Sequence, residues 1–120
     1  MLSEAELQGG MVESGARFRV VAGRKILFDG EGFFWHADDW SVDAAEELTR
    51  EAGVERLSEA QWRVITFLRE FYFENGRSPL HRRLAAGVGM TLLDLERLFP
   101  GGIKYGARRL AGLPNPKNCA

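Results

Sequence analysis

The sequence holds a single cysteine, Cys119, in a tail that reads Leu113-Pro114-Asn115-Pro116-Lys117-Asn118-Cys119-Ala120. One thiol cannot close a disulfide within its own chain. Its chemistry is that of a nucleophile in the thiolate form, and nearby charge sets how much thiolate there is. Lys117 stands two residues away, Lys104, Arg108 and Arg109 lie upstream, and no acidic side chain follows Glu96. These cations favour a thiolate or a persulfide anion, while the carboxylate of Ala120 works against them. Pro114 and Pro116 keep the segment out of helix and out of any central strand. An extended, polyproline-like path covers about 3 Å per residue, so residues 113–119 reach on the order of 20 Å. That is enough to carry the sulfur off the body and into a partner. A structural cysteine is normally a small buried hydrophobe, and a stiff, polar arm is a poor place for one. We therefore read Cys119 as a working thiol.

Other groupings carry less chemistry. Residues 78–99 read as two short helices around a Gly-containing turn, a helix-turn-helix pattern in which Arg82, Arg83 and Arg97 could meet phosphates. Asp94 and Glu96 on the second helix are odd choices for a groove-reading element, so a DNA-binding regulator is an alternative reading rather than the leading one. His36 and His81 have no partner at metal-ligand spacing. Asp38-Asp39 precedes a helix, where carboxylates more often cap than catalyse. Gly87-Val88-Gly89 lacks the strand and further glycine of a dinucleotide loop. No cofactor and no metal site is expected.

The elements that must position the thiol fit one domain: 120 residues, 45% of them hydrophobic. No apolar run is long enough to span a bilayer, no signal-peptide order is present, and one cysteine suits a reducing compartment, so a cytoplasmic location is expected. Charge is uneven. Up to Asn75 there are 8 Lys/Arg against 15 Asp/Glu, and from Gly76 onward 8 against 2. The C-terminal half is suited to an anionic partner or an anionic sulfur species.

The fold class expected is α+β. Residues 1–16 read as a loose leader. Residues 17–36 read as a three-stranded β-meander, from the apolar runs at 18–21, 25–28 and 33–35 with turns at Ala22-Gly23 and Asp29-Gly30-Glu31-Gly32. About five helices follow over residues 41–111. Ser41 caps the first, which Gly53 ends. Ser58 and Gln61 form a capping box for the second, with Leu57 and Trp62 as a hydrophobic staple. Trp62, Ile65, Leu68 and Tyr72, widened by Val64, Phe67 and Phe71, make it the central helix, ended by Asn75-Gly76. Ser78-Pro79 opens the third, Gly87-Val88-Gly89 breaks it, Thr91 caps the fourth over 92–99, and a last helix covers 103–110. The domain closes near Gly112, and residues 113–120 form a flexible arm.

Several of these segments resemble the DsrC/TusE family of sulfur-relay proteins. They are the tail from Ala111 to Ala120, Asp29-Gly30-Glu31-Gly32-Phe33 with Asp39-Trp40, Leu57-Ser58-Glu59-Ala60-Gln61-Trp62, Phe67-Leu68-Arg69-Glu70-Phe71-Tyr72, Pro79-Leu80-His81-Arg82-Arg83-Leu84 and Leu98-Phe99-Pro100-Gly101-Gly102. They occur in order from about Phe18 to Ala120. The resemblance implies a small β-meander against helices and a sulfur carrier whose working residue is Cys119. It further implies that the second cysteine of the DsrC branch would fall eleven positions upstream, where this chain has Arg108. The single-cysteine pattern is that of TusE, which takes sulfur from a TusBCD-type complex and passes it to the thiouridylase that makes 2-thiouridine in tRNA. The chain departs from the family pattern in its short link between the third and fourth helices and in Ile103, where a proline is usual.

The expected assignment is then a persulfide carrier acting as a sulfurtransferase in the relay sense, with Cys119 as the reacting residue. Pro114 and Pro116 stiffen the arm, Lys117, Arg108 and Arg109 favour and dock the anionic sulfur, and Arg82 lines the surface where the arm rests. The expected partners are a protein donor and a thiouridylase-like acceptor, with tRNA reached only through the acceptor and no membrane. A DsrC-like partner of dissimilatory sulfite reductase is the other alternative.

Overall fold

A computed structural model describes residues 15–116. The hairpin forms as the apolar runs require. β1 (Arg17–Val21) pairs antiparallel with β2 (Arg24–Phe28), with Arg17 opposite Phe28 and Val21 opposite Arg24. Ala22 and Gly23 make the two-residue turn, both at positive φ (52° and 76°), as a turn matched to strand twist demands. Ala22 is the costly one, since it carries a Cβ. Its N–H donates to Glu47 Oε1 at 3.0 Å, which ties the turn to the first helix.

The expected third strand is absent from the described sheet, which has two strands. Only an isolated bridge joins Phe28 to Phe34. Asp29 folds the chain into a tight loop, with Gly32 at φ 88°, and after residues 33–36 a 3-10 turn follows at Ala37–Asp39. Too few residues remain between those turns for a ladder. Asp38 and Asp39 sit in that turn and cap no helix, whereas Ser41 does: its side chain accepts from Ala44 N–H at 3.0 Å. Ala16, expected in the leader, is buried.

α1 (Val42–Glu51) leads to α2 (Glu59–Asn75), where the capping box is complete. Ser58 Oγ accepts from Gln61 N–H at 3.1 Å and Gln61 Oε1 from Ser58 N–H at 2.8 Å. The Gln61 amide also donates to Leu98 O at 2.7 Å, which anchors α4 (Leu92–Leu98). Val64, Ile65 and Leu68 are fully buried, with Trp62, Phe67 and Tyr72 half-buried against the same core. Phe71 instead stacks on Phe67 near the surface. α3 (His81–Val88) begins later than expected. Leu80, not Ser78, holds the cap position, Ser78 Oγ bonds nothing there, and Gly87 continues the helix until Gly89 turns left-handed.

The last helix also differs from expectation. Gly102–Ala107 is π-helical and only Arg108–Leu110, α5, is α-helical. Gly101 and Gly102 enter at positive φ, and Gly106 lies so close to Pro100 O that a Cβ would come within 2.4 Å. The wide turn lets Arg108 N–H reach Ile103 O, five residues back. Two apolar clusters result, one under the hairpin (Val21, Ile26, Phe28, Phe34, Ala44) and one among the helices. Trp40 and Leu48 touch both.

Ser58→Ala should lower stability by about 1 kcal/mol, whereas Ser78→Ala should change it by no more than about 0.5 kcal/mol, since no cap is lost. Urea denaturation of the two variants distinguishes a cap at Ser58 alone from caps at both.

Candidate functional site: the root of the C-terminal segment

Cys119 and Lys117 lie outside the described residues, and the structure describes the segment that leads to them. α5 ends in a Schellman motif. Gly112, at φ 73°, donates to Arg109 O at 3.1 Å, and Leu113 N–H donates to Arg108 O at 3.2 Å. The two carbonyls left over find side chains from elsewhere in the chain. Trp40 Nε1 donates to Leu110 O at 2.7 Å, and Arg69 Nη1 donates to Ala111 O at 2.9 Å. All four terminal carbonyls of the helix are therefore satisfied. Arg69 also lies over the Trp40 ring, 4.2 Å from its centre, and its Nη2 donates to Ala37 O at 3.2 Å. Burial pushes the Arg69 pKa down from its ordinary value, against the opposing pull of Asp38. Gly112 is required twice over, by its φ and because a Cβ there would lie 2.3 Å from Trp40.

The chain beyond this clamp is held as well. Leu113 is fully buried in the helical core and Asn115 is 1% exposed. The expectation of a free arm starting at Leu113 is corrected: the leucine fills core space and Asn115 is bonded, so the anchor extends through Asn115. Asn115 Nδ2 donates to Glu31 Oε1 at 3.1 Å, and Tyr105 Oη donates to the same oxygen at 3.2 Å. The loop that presents Glu31 is set by Asp29, whose Oδ1 accepts from Glu31 and Phe33 N–H, both at 2.9 Å. Pro114 and Pro116 are half-buried.

The cations separate. Arg109 lies against the Gly32 loop, its Nε donating to Gly32 O at 3.4 Å. Arg108 is buried and turns to α3, where its Nη2 donates to Pro79 O at 2.8 Å. Burial lowers its pKa. Arg82 is exposed and lines a separate hollow with Leu80, His81, Arg83 and Leu92. Within the helix-turn-helix pattern, Leu84, Val88 and Leu95 belong to the core and Glu96 accepts from Ile103 N–H at 3.2 Å, so the hairpin is bound inward. Sequence reasoning missed Trp40, Arg69, Glu31, Tyr105 and Asn115. A signal existed at Arg69, a cation set inside the aromatic face of α2 four residues before Phe73.

Trp40→Phe leaves Leu110 O unpartnered and should cost about 1–3 kcal/mol. Gly112→Ala should cost about 2–4 kcal/mol. Equal stability of either variant in chemical denaturation contradicts the clamp. His81 titrates below its ordinary value of 6.5 because of desolvation, then Arg108, with Glu96 opposing. The folded state thus prefers the neutral ring, and this contribution to stability is present above 6.5 and is lost as pH falls below it. In Arg108→Met the His81 pKa should rise, as read by NMR titration.

The family model described as "DsrC like protein" matches residues 20–120. The chain is 38% identical over 104 residues to a sulfurtransferase TusE of Sodalis glossinidius, covering 81% of this chain and 95% of that one. It is 34% identical over 97 residues to the dissimilatory-type sulfite reductase subunit gamma of Nitratidesulfovibrio vulgaris, covering 81% and 92%. The oxidized gamma-subunit of dissimilatory sulfite reductase (DsrC) from Archaeoglobus fulgidus superposes with a TM-score of 0.75 at 30% identity, covering 86% of this chain and 99% of that one. With its helices, its small hairpin and its clamped C-terminal root, this chain belongs to the DsrC-like protein family.

Proposed function

We propose that the chain is a sulfur carrier in which Cys119 takes a sulfane sulfur as a persulfide and passes it on. The Cys119 thiolate attacks the outer sulfur of a donor persulfide. The donor's S–S bond breaks, a new S–S bond forms on Cys119, and the donor leaves as a thiolate, so no outside oxidant is needed. Transfer to the acceptor repeats the exchange with the roles reversed. Pro114 and Pro116 stiffen the approach, and Lys117 and Arg109 supply the positive charge that favours an anionic sulfur, while Arg108 and Arg82 face the α3 side. The observation that carries this reading is the family match through residue 120, which includes the chain's one thiol.

We assign the route to 2-thiouridine synthesis in tRNA, in the cytoplasm, with a TusBCD-like donor complex and a thiouridylase-like acceptor. Arg108 supports this choice. It stands where the two-thiol branch has its second cysteine, and it is buried and bonded to Pro79 O. The second reading, a protein partner in dissimilatory sulfur metabolism, is supported by the 34% identity to a sulfite reductase gamma subunit.

Incubation with a protein persulfide donor followed by peptide mass mapping should add one sulfur at Cys119 and none in Cys119→Ser. An unmodified wild-type protein would sink the carrier reading. Loaded protein should then thiolate tRNA in the presence of a thiouridylase. Failure there, with sulfur delivered to a sulfite reductase instead, would favour the second reading.

A further inference from the structure

Asn115 is the last buried side chain among the described residues, and prolines flank it on both sides. Pro114 and Pro116 each fix one φ, and a residue before proline is confined to extended backbone. Once the Asn115 side chain is held, little backbone freedom is left before Lys117. One carboxylate oxygen holds it. Asn115 Nδ2 and Tyr105 Oη both donate to Glu31 Oε1, at 3.1 and 3.2 Å. That oxygen is itself placed from several sides. Asp29 Oδ1 fixes the loop backbone through Glu31 and Phe33 N–H. The Tyr105 and Phe33 rings lie 5.7 Å apart. Arg109 spans the two segments, with Nε donating to Gly32 O and Nη1 to Tyr105 O, both at 3.4 Å. Leu113 and the carbonyl clamp already hold the chain to the core. A further hydrogen bond adds little to that anchorage, yet this one decides where the chain points.

The consequence for the thiol follows from chain length. Held at Asn115, Cys119 is four residues from its tether; held only at Leu113, it is six residues away. At about 3.3 Å per residue, its reach grows from about 13 to about 20 Å, and the volume it can sweep grows about threefold. We infer that Glu31 is a positioning residue for the thiol. Through Asn115 it confines Cys119 to the side of the molecule that carries the 29–33 loop and Tyr105, and so raises its effective concentration at a partner docked there. The confinement rests on this geometry alone; its effect on transfer rests on the carrier reading of Cys119.

Two measurements separate these parts. The first places a nitroxide on Cys119, the chain's one thiol, in the full-length protein. Paramagnetic broadening in the wild type should centre on the amides of residues 29–33 and Tyr105. In Glu31→Ala those amides should broaden less and the affected set should widen, while the amide spectrum of the unlabelled variant confirms that it is folded. Glu31→Gln keeps an acceptor oxygen and should resemble the wild type. Asn115→Ala should match Glu31→Ala, and the double variant should go no further than either. The second measurement follows single-turnover transfer from a protein persulfide donor to Cys119. Glu31→Ala should lower the rate at saturating donor about threefold, leaving the half-saturating donor concentration unchanged. Alkylation of Cys119 by iodoacetamide, which needs no docked partner, should keep its wild-type rate. The inference is overturned by one broadening pattern common to wild type and Glu31→Ala, or by undiminished transfer in a Glu31→Ala protein that does take up sulfur. Confinement by Glu31 in a wild-type protein that takes up no sulfur would uphold the positioning and contradict the carrier reading instead.

Discussion

Four backbone carbonyls at the end of α5 organise this molecule. A helix terminus leaves its last carbonyls without partners, and here each one is met. The Schellman turn at Gly112 takes two, the Trp40 indole takes the third and the Arg69 guanidinium takes the fourth. The donors come from a loop after the hairpin and from the middle of α2. Trp40 also joins the two apolar clusters. The terminus of one short helix is therefore the place where the hairpin, the central helix and the C-terminal segment are tied together.

This arrangement explains how a short helix can serve as a fixed base. α5 has three residues and could not stand alone. It is preceded by a π turn whose glycines fit closely against Pro100 and Glu96, and it is succeeded by a leucine in the core. Beyond it, the Asp29 loop offers Glu31 to Asn115. The Asp-Gly-Glu-Gly-Phe segment thus has its structural purpose far from itself in sequence, at the base of the segment that leads to the thiol. Gly32 leaves room for the Arg109 guanidinium beside it.

Much of the fold was legible because its signals are local. The hairpin turn, the Ser41 and Thr91 caps and the Ser58–Gln61 capping box are written within four residues each, and all appear as read. The misread elements depend on distant atoms. The run 33–35 has strand composition, but the Asp29 turn and the 3-10 turn leave it a single bridge. Ser78-Pro79 has the chemistry of a helix start, yet Arg108 claims the Pro79 carbonyl and α3 starts beyond it. The π turn brings Gly106 close against Pro100 O, an approach that no periodicity reveals. Cys119 stands out in the sequence by its isolation, whereas the clamp does not, because Trp40 and Arg69 each read plausibly as ordinary parts of a core and a helix face.

The central claim is that the chain is held firmly through Leu113, so that the thiol-bearing end of the molecule starts from a fixed origin. Native-state amide hydrogen exchange tests it at two atoms, the N–H groups of Gly112 and Leu113. The account predicts that both exchange as slowly as the buried amides of α2, through global unfolding. Exchange at the rate of an exposed, unbonded amide under conditions where α2 stays protected would contradict it.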